Sequence, residues 1–135
     1  MKYPVAIHHD ERSDYGVTVV DIPGCFSAGK TVDDAIRNTH EAIEGHLEIL
    51  AEDGELAPEA RAIDTHFTNP DYEGAIWAYV DIDVTPYLGK TEKVNVTLPA
   101  LLIAQIDDAV KAGAGKNRSA FLAESAINRI HQVTQ

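Results

Sequence analysis

The chain has 135 residues, a length that fits one ordinary domain or two small ones. Its 44% hydrophobic content is typical of a folded protein, and its 11 Lys and Arg against 22 Asp and Glu give a formal charge of −11. A single cysteine excludes an intrachain disulfide and a CxxC motif. Because the sequence shows neither a signal peptide nor an apolar run of about 20 residues, we expect a cytoplasmic protein with no membrane contact.

The acidic charge is concentrated in the first 90 residues. Residues 1–90 carry a net charge of −12, whereas residues 91–135 carry +1. A strongly acidic chain argues against contacts with DNA phosphates, but this argument applies only to the first part. The asymmetry indicates two units with different partners, although an acidic surface that serves only solubility would give the same imbalance. The Pro and Gly of residues 85–93 predict a short linker between the units.

Three strands and a helix are predicted in the first half of the chain. Apolar residues alternate in residues 3–7 and again in residues 17–19, which predicts a hairpin, and residues 25–28 follow as a short third strand. Thr31 is a suitable N-cap for the helix that follows, and Gly54 a suitable terminator. The apolar face of this helix is predicted to comprise Val32, Ile36, Ile43, Leu47 and Leu50.

Two more strands are predicted after this helix. Residues 62–67 form a weak strand pattern, and residues 76–84 alternate strongly between apolar and other side chains. We therefore expect an α+β fold in which one main helix covers one face of an antiparallel sheet.

The last 45 residues predict one strand and two helices. Apolar and polar residues alternate over residues 93–98, Pro99 suits the start of a helix, Gly113 ends it, and Asn117 caps a second helix. So small a unit cannot bury enough apolar surface to be stable alone. We expect two copies to pair their strands and interlock their helices, the alternative being that the strand joins the N-terminal sheet.

Pairing of two copies would create a ribbon suited to the major groove of DNA. The apolar set would form the dimer core, namely Val94, Val96 and Leu98. The polar set would contact base edges, namely Lys93, Asn95 and Thr97. The start of the second helix would bind a backbone phosphate through Asn117, Arg118 and Ser119.

Two stretches resemble known families. The C-terminal stretch KVNVTLPALLIAQIDDAVKAGAGKNRSAFLAESAINRI resembles the ribbon-helix-helix DNA-binding fold, and the N-terminal stretch around DIPGCFSAGKTVDDA resembles the HicB antitoxin family. The resemblance implies a partial ribonuclease H-like domain without nuclease activity at residues 1–86 and a ribbon-helix-helix domain at residues 91–135.

The same resemblance implies the partners. The N-terminal domain would bind a small basic HicA-type toxin that cleaves RNA, and the C-terminal domain would repress the operon by binding operator DNA. The chain would be a homodimer, or a tetramer if the N-terminal units also associate, and would need no cofactor. Asp10, Glu11 and Asp14 in the first polar turn are candidates for toxin contacts.

Two other functions remain as alternatives. A metal-dependent ribonuclease H-like nuclease would need converging carboxylates, and the sequence offers Asp10, Asp14, Asp21, Asp81 and Asp83. A metal- or ligand-responsive repressor would need clustered ligands, and the sequence offers His8, His9, His40, His46 and His66. Their spacing matches neither kind of site, so we expect no catalytic residue and no metal site. Cys25 fits a small buried side chain.

Overall fold

A computed structural model describes residues 1–134. Four strands form one antiparallel sheet in the order β3-β2-β1-β4, comprising β1 (Lys2–His9), β2 (Tyr15–Val19), β3 (Phe26–Gly29) and β4 (Ile76–Asp81). Three helices follow the chain as α1 (Val32–Glu52), α2 (Ala100–Lys111) and α3 (Arg118–Thr134). This mixed arrangement confirms the α+β fold expected from the sequence. None of the helices described is long and apolar enough to span a bilayer.

Helix α1 begins and ends where its capping residues predict. The Thr31 side chain accepts a hydrogen bond from the backbone N–H of Asp34 at 3.1 Å. Gly54 follows the last turn with a φ of +74°, a left-handed conformation that favours glycine. The buried residues of α1 are Ala35, Thr39, Ile43 and Leu47. Val32, predicted to extend the apolar face, is instead 39% exposed because it lies in the first turn, beyond the edge of the core.

The sheet buries β1 on both faces. Tyr3, Val5 and Ile7 lie in the core beneath α1, while Pro4 and Ala6 on the opposite face are also fully buried. Because successive side chains of a strand alternate between faces, the partners of Pro4 and Ala6 on β4, Tyr79 and Trp77, also lie on the face away from α1.

The predicted strand at residues 62–67 is wrong. Residues Ile63–His66 form a 3₁₀ turn, and contacts with the rest of the protein hold this loop against the sheet. The Ile63 N–H donates to the Tyr79 hydroxyl at 3.3 Å, and the Arg61 N–H donates to the Asp21 carboxylate at 2.8 Å. These side-chain acceptors replace the strand partner that an extended segment would need.

The sheet has two distinct ends. At the turn end, the β1–β2 turn (residues 10–14) lies beside the loop that enters β4 (residues 70–75), because Ile7 pairs with Ile76. At the helix end, Lys2 pairs with Asp81, and the amino group of Met1 lies 2.6 Å from the Glu124 carboxylate of α3. The two C-terminal helices therefore lie away from the turn end.

Helix α3 packs against the N-terminal unit. Ile127 is 3% exposed and belongs to the same apolar core as the sheet and α1. His131 Nε2 lies 2.7 Å from the backbone oxygen of Ala57. Part of the apolar surface of α3 is thus covered within the chain, while Ile130 and Val133 stay exposed.

Candidate functional site

The segment predicted to pair with a second copy has no partner among residues 1–134. Residues 91–98, called the unpaired segment below, form no strand, and their backbone groups make no hydrogen bonds to the rest of residues 1–134. Val94 is 73% exposed and Val96 is 66% exposed, whereas Leu98 is half-buried. The side chains of Lys93, Asn95 and Thr97 are also exposed. Both the apolar and the polar sets are therefore accessible in the single chain.

The start of α3 is capped as the sequence predicts. The Asn117 side chain accepts a hydrogen bond from the Ala120 N–H at 2.8 Å. The backbone N–H groups of Arg118 and Ser119 have no acceptor among residues 1–134, as is usual in the first turn of a helix, so they are free to donate. The Arg118 guanidinium is already engaged, because it donates two hydrogen bonds to Asp107 at 3.0 and 2.8 Å. These hydrogen bonds lower the pKa of the Asp107 carboxyl.

The structure brings the unpaired segment close to the start of α3. A cavity of about 430 Å³ is lined by Thr91 and Glu92 on one side and by Asn117 and Ser119 on the other. Lys90 and Lys116 line the same cavity and are exposed, and sequence reasoning did not select them. The position of Lys116 directly before the helix cap is the signal that would have identified it.

The predicted toxin-contacting residues lie together at the turn end. Asp10, Glu11 and Asp14 are all exposed. Asp10 also stabilises its own turn, because its backbone oxygen accepts from the Ser13 N–H at 3.0 Å. His9 stacks on Tyr15 with ring centroids 3.9 Å apart, which fixes the base of the turn.

The carboxylates and histidines of the two alternative functions do not converge. Within residues 1–134, no group of three His, Cys, Asp or Glu side chains has the geometry to hold a metal ion. The candidates that meet do so as pairs, with His66 Nε2 2.9 Å from Asp21 Oδ1. His40 is exposed, and its Nδ1 lies 2.8 Å from Glu44 Oε1.

Cys25 is fully buried, as expected, and burial raises the pKa of its thiol. A raised pKa reduces the fraction of Cys25 that is thiolate at neutral pH. Because the thiolate, and not the thiol, is the nucleophile, this lowers the reactivity of the side chain. The environment of Cys25 therefore suits a structural side chain.

An aromatic cluster lies on the sheet face away from α1. It comprises His66, Phe67, Tyr72 and Trp77, and is called the aromatic cluster below. The Trp77 ring centroid lies 5.6 Å from that of Phe67, 5.7 Å from that of Tyr72 and 6.1 Å from that of His66. Sequence reasoning missed this cluster because its residues come from two turns and a strand whose proximity only the fold reveals.

Comparisons with known proteins agree over nearly the whole chain. A family model described as the HicB-like antitoxin of a bacterial toxin–antitoxin system matches residues 3–126. The crystal structure of the antitoxin HicB of Burkholderia pseudomallei superposes with a TM-score of 0.74 at 44% identity, covering 93% of this chain and 96% of that one.

The chain also matches a phage protein and a chain from a toxin–antitoxin complex. A 14.9 kDa protein from the rep–hol intergenic region of Haemophilus phage HP1 is 43% identical over 131 residues, 96% of this chain and 98% of the phage protein. A chain from a HicA3 and HicB3 toxin–antitoxin complex is 32% identical, with a TM-score of 0.53 over 62% of this chain and 99% of that one. Together with the family model, these matches show that the chain belongs to the HicB-like antitoxin family.

Proposed function

We propose that this protein is an antitoxin that binds and neutralises a HicA-type RNA-cleaving toxin and represses its own operon. Residues 1–86, as a partial ribonuclease H-like domain, hold the toxin. Residues 91–135, as a ribbon-helix-helix domain, form the homodimer and bind operator DNA. Membership of the family supports the toxin-binding half, since a relative in that family was solved as a toxin–antitoxin complex.

The proposed DNA binding is supported mainly by the exposed, unpaired backbone of the unpaired segment. A row of free backbone N–H and C=O groups is a template for pairing with another strand. Pairing of two unpaired segments would satisfy these groups and would bury Val94 and Val96, whose exposure is costly in water. The exposed Leu101 and Leu102 of α2 lie directly after the segment and would extend the same dimer core.

The polar side chains of the paired segments then suit base edges. In an antiparallel ribbon, burial of Val94 and Val96 on one face turns Lys93, Asn95 and Thr97 to the other face. A two-stranded ribbon fits the major groove, where lysine donates to guanine and asparagine pairs with adenine.

Phosphate contacts come from the neighbouring start of α3. The free N–H groups of Arg118 and Ser119 and the Asn117 cap would form the anion site. Lys116 and Lys90 line the adjoining cavity, together with the carboxylates of Asp83 and Glu92. Binding of a phosphate by the Arg118 side chain would require it to exchange Asp107 for the DNA backbone. The backbone amides and Lys116 need no such exchange.

The acidic charge of the first unit suits the proposed toxin partner. Residues 1–90 carry −12, and a protein that binds RNA must present basic surface. Opposite charge on the two surfaces accelerates their association.

A full-length Val96→Asp variant tests both halves together. The new carboxylate would lie in the dimer core, so the variant should sediment as a monomer and should not shift a DNA fragment from upstream of its own gene. It should still rescue growth of cells that express the HicA-type toxin. Val32→Asp, the same change at an exposed valine of the N-terminal unit, is the control and should behave as wild type. Operator binding by Val96→Asp at wild-type affinity would contradict the proposed ribbon.

A further inference from the structure

We propose that the aromatic cluster is the centre of the surface on which the toxin docks, and that it receives an arginine or lysine side chain of that toxin. This inference rests on the proposed antitoxin function, and it places the contact on residues outside the β1–β2 turn. The structural basis is the joint exposure of aromatic rings and carboxylates on one loop.

The cluster exposes apolar surface that the fold does not need to expose. Phe67 is 56% exposed although it lies against Trp77, and Tyr72 and Trp77 are only half-buried. A single exposed aromatic residue is ordinary, but contacting aromatic rings on one surface are typical of protein–protein interfaces. Tryptophan and tyrosine are also the residues that most often dominate binding energy at such interfaces.

The charges around the cluster select a basic partner. Residues 62–89 contain no Lys or Arg, whereas Asp64, Asp71 and Glu73 lie on the same loop and are exposed. Two cations border this surface, Arg61 directly before the segment and Arg12 in the β1–β2 turn, and they are outnumbered by six exposed carboxylates, namely Asp10, Glu11, Asp14, Asp64, Asp71 and Glu73. A guanidinium or ammonium group can stack on the face of a tryptophan ring while a neighbouring carboxylate binds the same cation. The surface therefore matches a protein that presents Arg or Lys.

The position of the cluster leaves it accessible in the full chain. Asp71 and Glu73 belong to the loop that enters β4, so they lie at the turn end beside residues 10–14. Helix α3 contacts the helix end of the sheet, at Met1. A toxin on the aromatic cluster would thus also reach Glu11 and Asp14 without displacing the C-terminal helices.

The test measures the affinity of the full-length protein for the purified HicA-type toxin of its own operon by calorimetry. Phe67→Ala should weaken binding by at least about tenfold, because truncation of a central aromatic contact typically costs this much. Glu73→Lys should weaken binding by about threefold to tenfold, with the larger effect at low salt.

Two changes on the other side of the molecule are the controls. Ile49→Ala removes a side chain that is 59% exposed, similar to the 56% of Phe67. Glu52→Lys makes the same charge change as Glu73→Lys, but at the last residue of α1, roughly 30 Å along the helix from its start. Both should bind within twofold of wild type. Thermal melts check that Phe67→Ala is folded, and Glu73→Lys reports on the surface without altering the aromatic packing.

The outcomes separate this inference from the function on which it rests. Wild-type affinity in both Phe67→Ala and Glu73→Lys, with tight binding by the wild type, would overturn the docking surface alone. Absence of binding by the wild type would contradict the proposed function and this partner with it. A change of oligomeric state in Phe67→Ala, with toxin binding intact, would assign the cluster to a second copy of the chain and overturn the inference.

Discussion

Asn95 is the side chain on which sequence-specific DNA binding should depend most. Its amide group both donates and accepts, so it can pair with two atoms of one adenine edge. In the single chain it is exposed and makes no hydrogen bond among residues 1–134. It is therefore free to contact a base once the segment is paired.

Asn95→Ala should weaken operator binding by about 1–3 kcal/mol and should leave toxin neutralisation intact. Fluorescence anisotropy with an operator fragment and with unrelated DNA measures the effect on both. Lys93→Ala and Lys30→Ala each remove one positive charge, but only Lys93 lies in the proposed DNA-binding segment. Comparison of their operator affinities separates the loss of a DNA contact at Lys93 from the general effect of a lost charge. Unchanged operator affinity for Asn95→Ala would show that the polar face of the segment does not contact bases.

Glu44 and Tyr87 form a contact whose pH dependence can be predicted. The Tyr87 hydroxyl donates to Glu44 at 2.7 Å, which lowers the pKa of Glu44 and raises the pKa of Tyr87 to about 12. A lowered carboxyl pKa stabilises the fold above the ordinary value of 4.5, and this stabilisation is lost as the pH falls below that value.

Tyr87→Phe should therefore reduce the unfolding midpoint at pH 7 by more than it does at pH 3. Thermal melts of the wild type and the variant over this range measure the difference. In the alkaline range, absorbance titration of the wild type should show a tyrosine that ionises near pH 12 and that is absent from the variant. An equal difference between the two proteins at pH 7 and pH 3 would contradict this assignment.

Packing of β3 on α1 depends on Gly29. A Cβ atom placed at Gly29 would lie 2.3 Å from the backbone nitrogen of Ala35, which has no room to move away. The close approach of strand and helix therefore requires glycine at this position.

Gly29→Ala should destabilise the protein by at least about 1–3 kcal/mol, the usual cost of overpacking. Gly45→Ala on the exposed face of α1 is the matched change, since a Cβ there meets nothing within 4 Å. It should stabilise the protein by about 0.5–1 kcal/mol, because alanine favours the helix. Urea unfolding measures both, and equal stability for the two variants would contradict the packing described.

Elements with local signals were predictable from the sequence, and elements set by distant contacts were not. Thr31 and Asn117 mark the starts of α1 and α3 because each cap forms a hydrogen bond within its own first turn. The loop at residues 62–67 was mispredicted because Asp21 and Tyr79, far away in sequence, bind its backbone. The aromatic cluster was missed for the same reason.

The docking of α3 joins the two units of the molecule. Ile127 inserts from the C-terminal unit into the core of the N-terminal one, and the remaining apolar surface of α3 stays free for a second copy. The sequence contains no local signal that α3 packs on the N-terminal unit. A fixed position of α3 would hold the proposed toxin-binding surface and the proposed DNA-binding surface at separate ends of one protomer.

Ile127→Ala should cost about 2–5 kcal/mol of stability, the usual range for truncation of a buried isoleucine. Because the lost packing is between α3 and the N-terminal unit, α3 should detach more often while the sheet stays folded. Protease cleavage within residues 88–92 should therefore become faster. Ile130→Ala, at an exposed site on the same helix, is the comparison. Unchanged cleavage of Ile127→Ala would show that α3 is not held by this contact.

The antitoxin function is tested by measuring the cleavage of RNA by the HicA-type toxin in the presence of this protein. Purified toxin is mixed with a labelled RNA and increasing amounts of the full-length chain. The proposed function predicts that cleavage ceases as the chain approaches the concentration of the toxin, and that Val96→Asp inhibits as the wild type does. Continued cleavage in the presence of excess wild-type chain would contradict the proposal that this protein is the antitoxin.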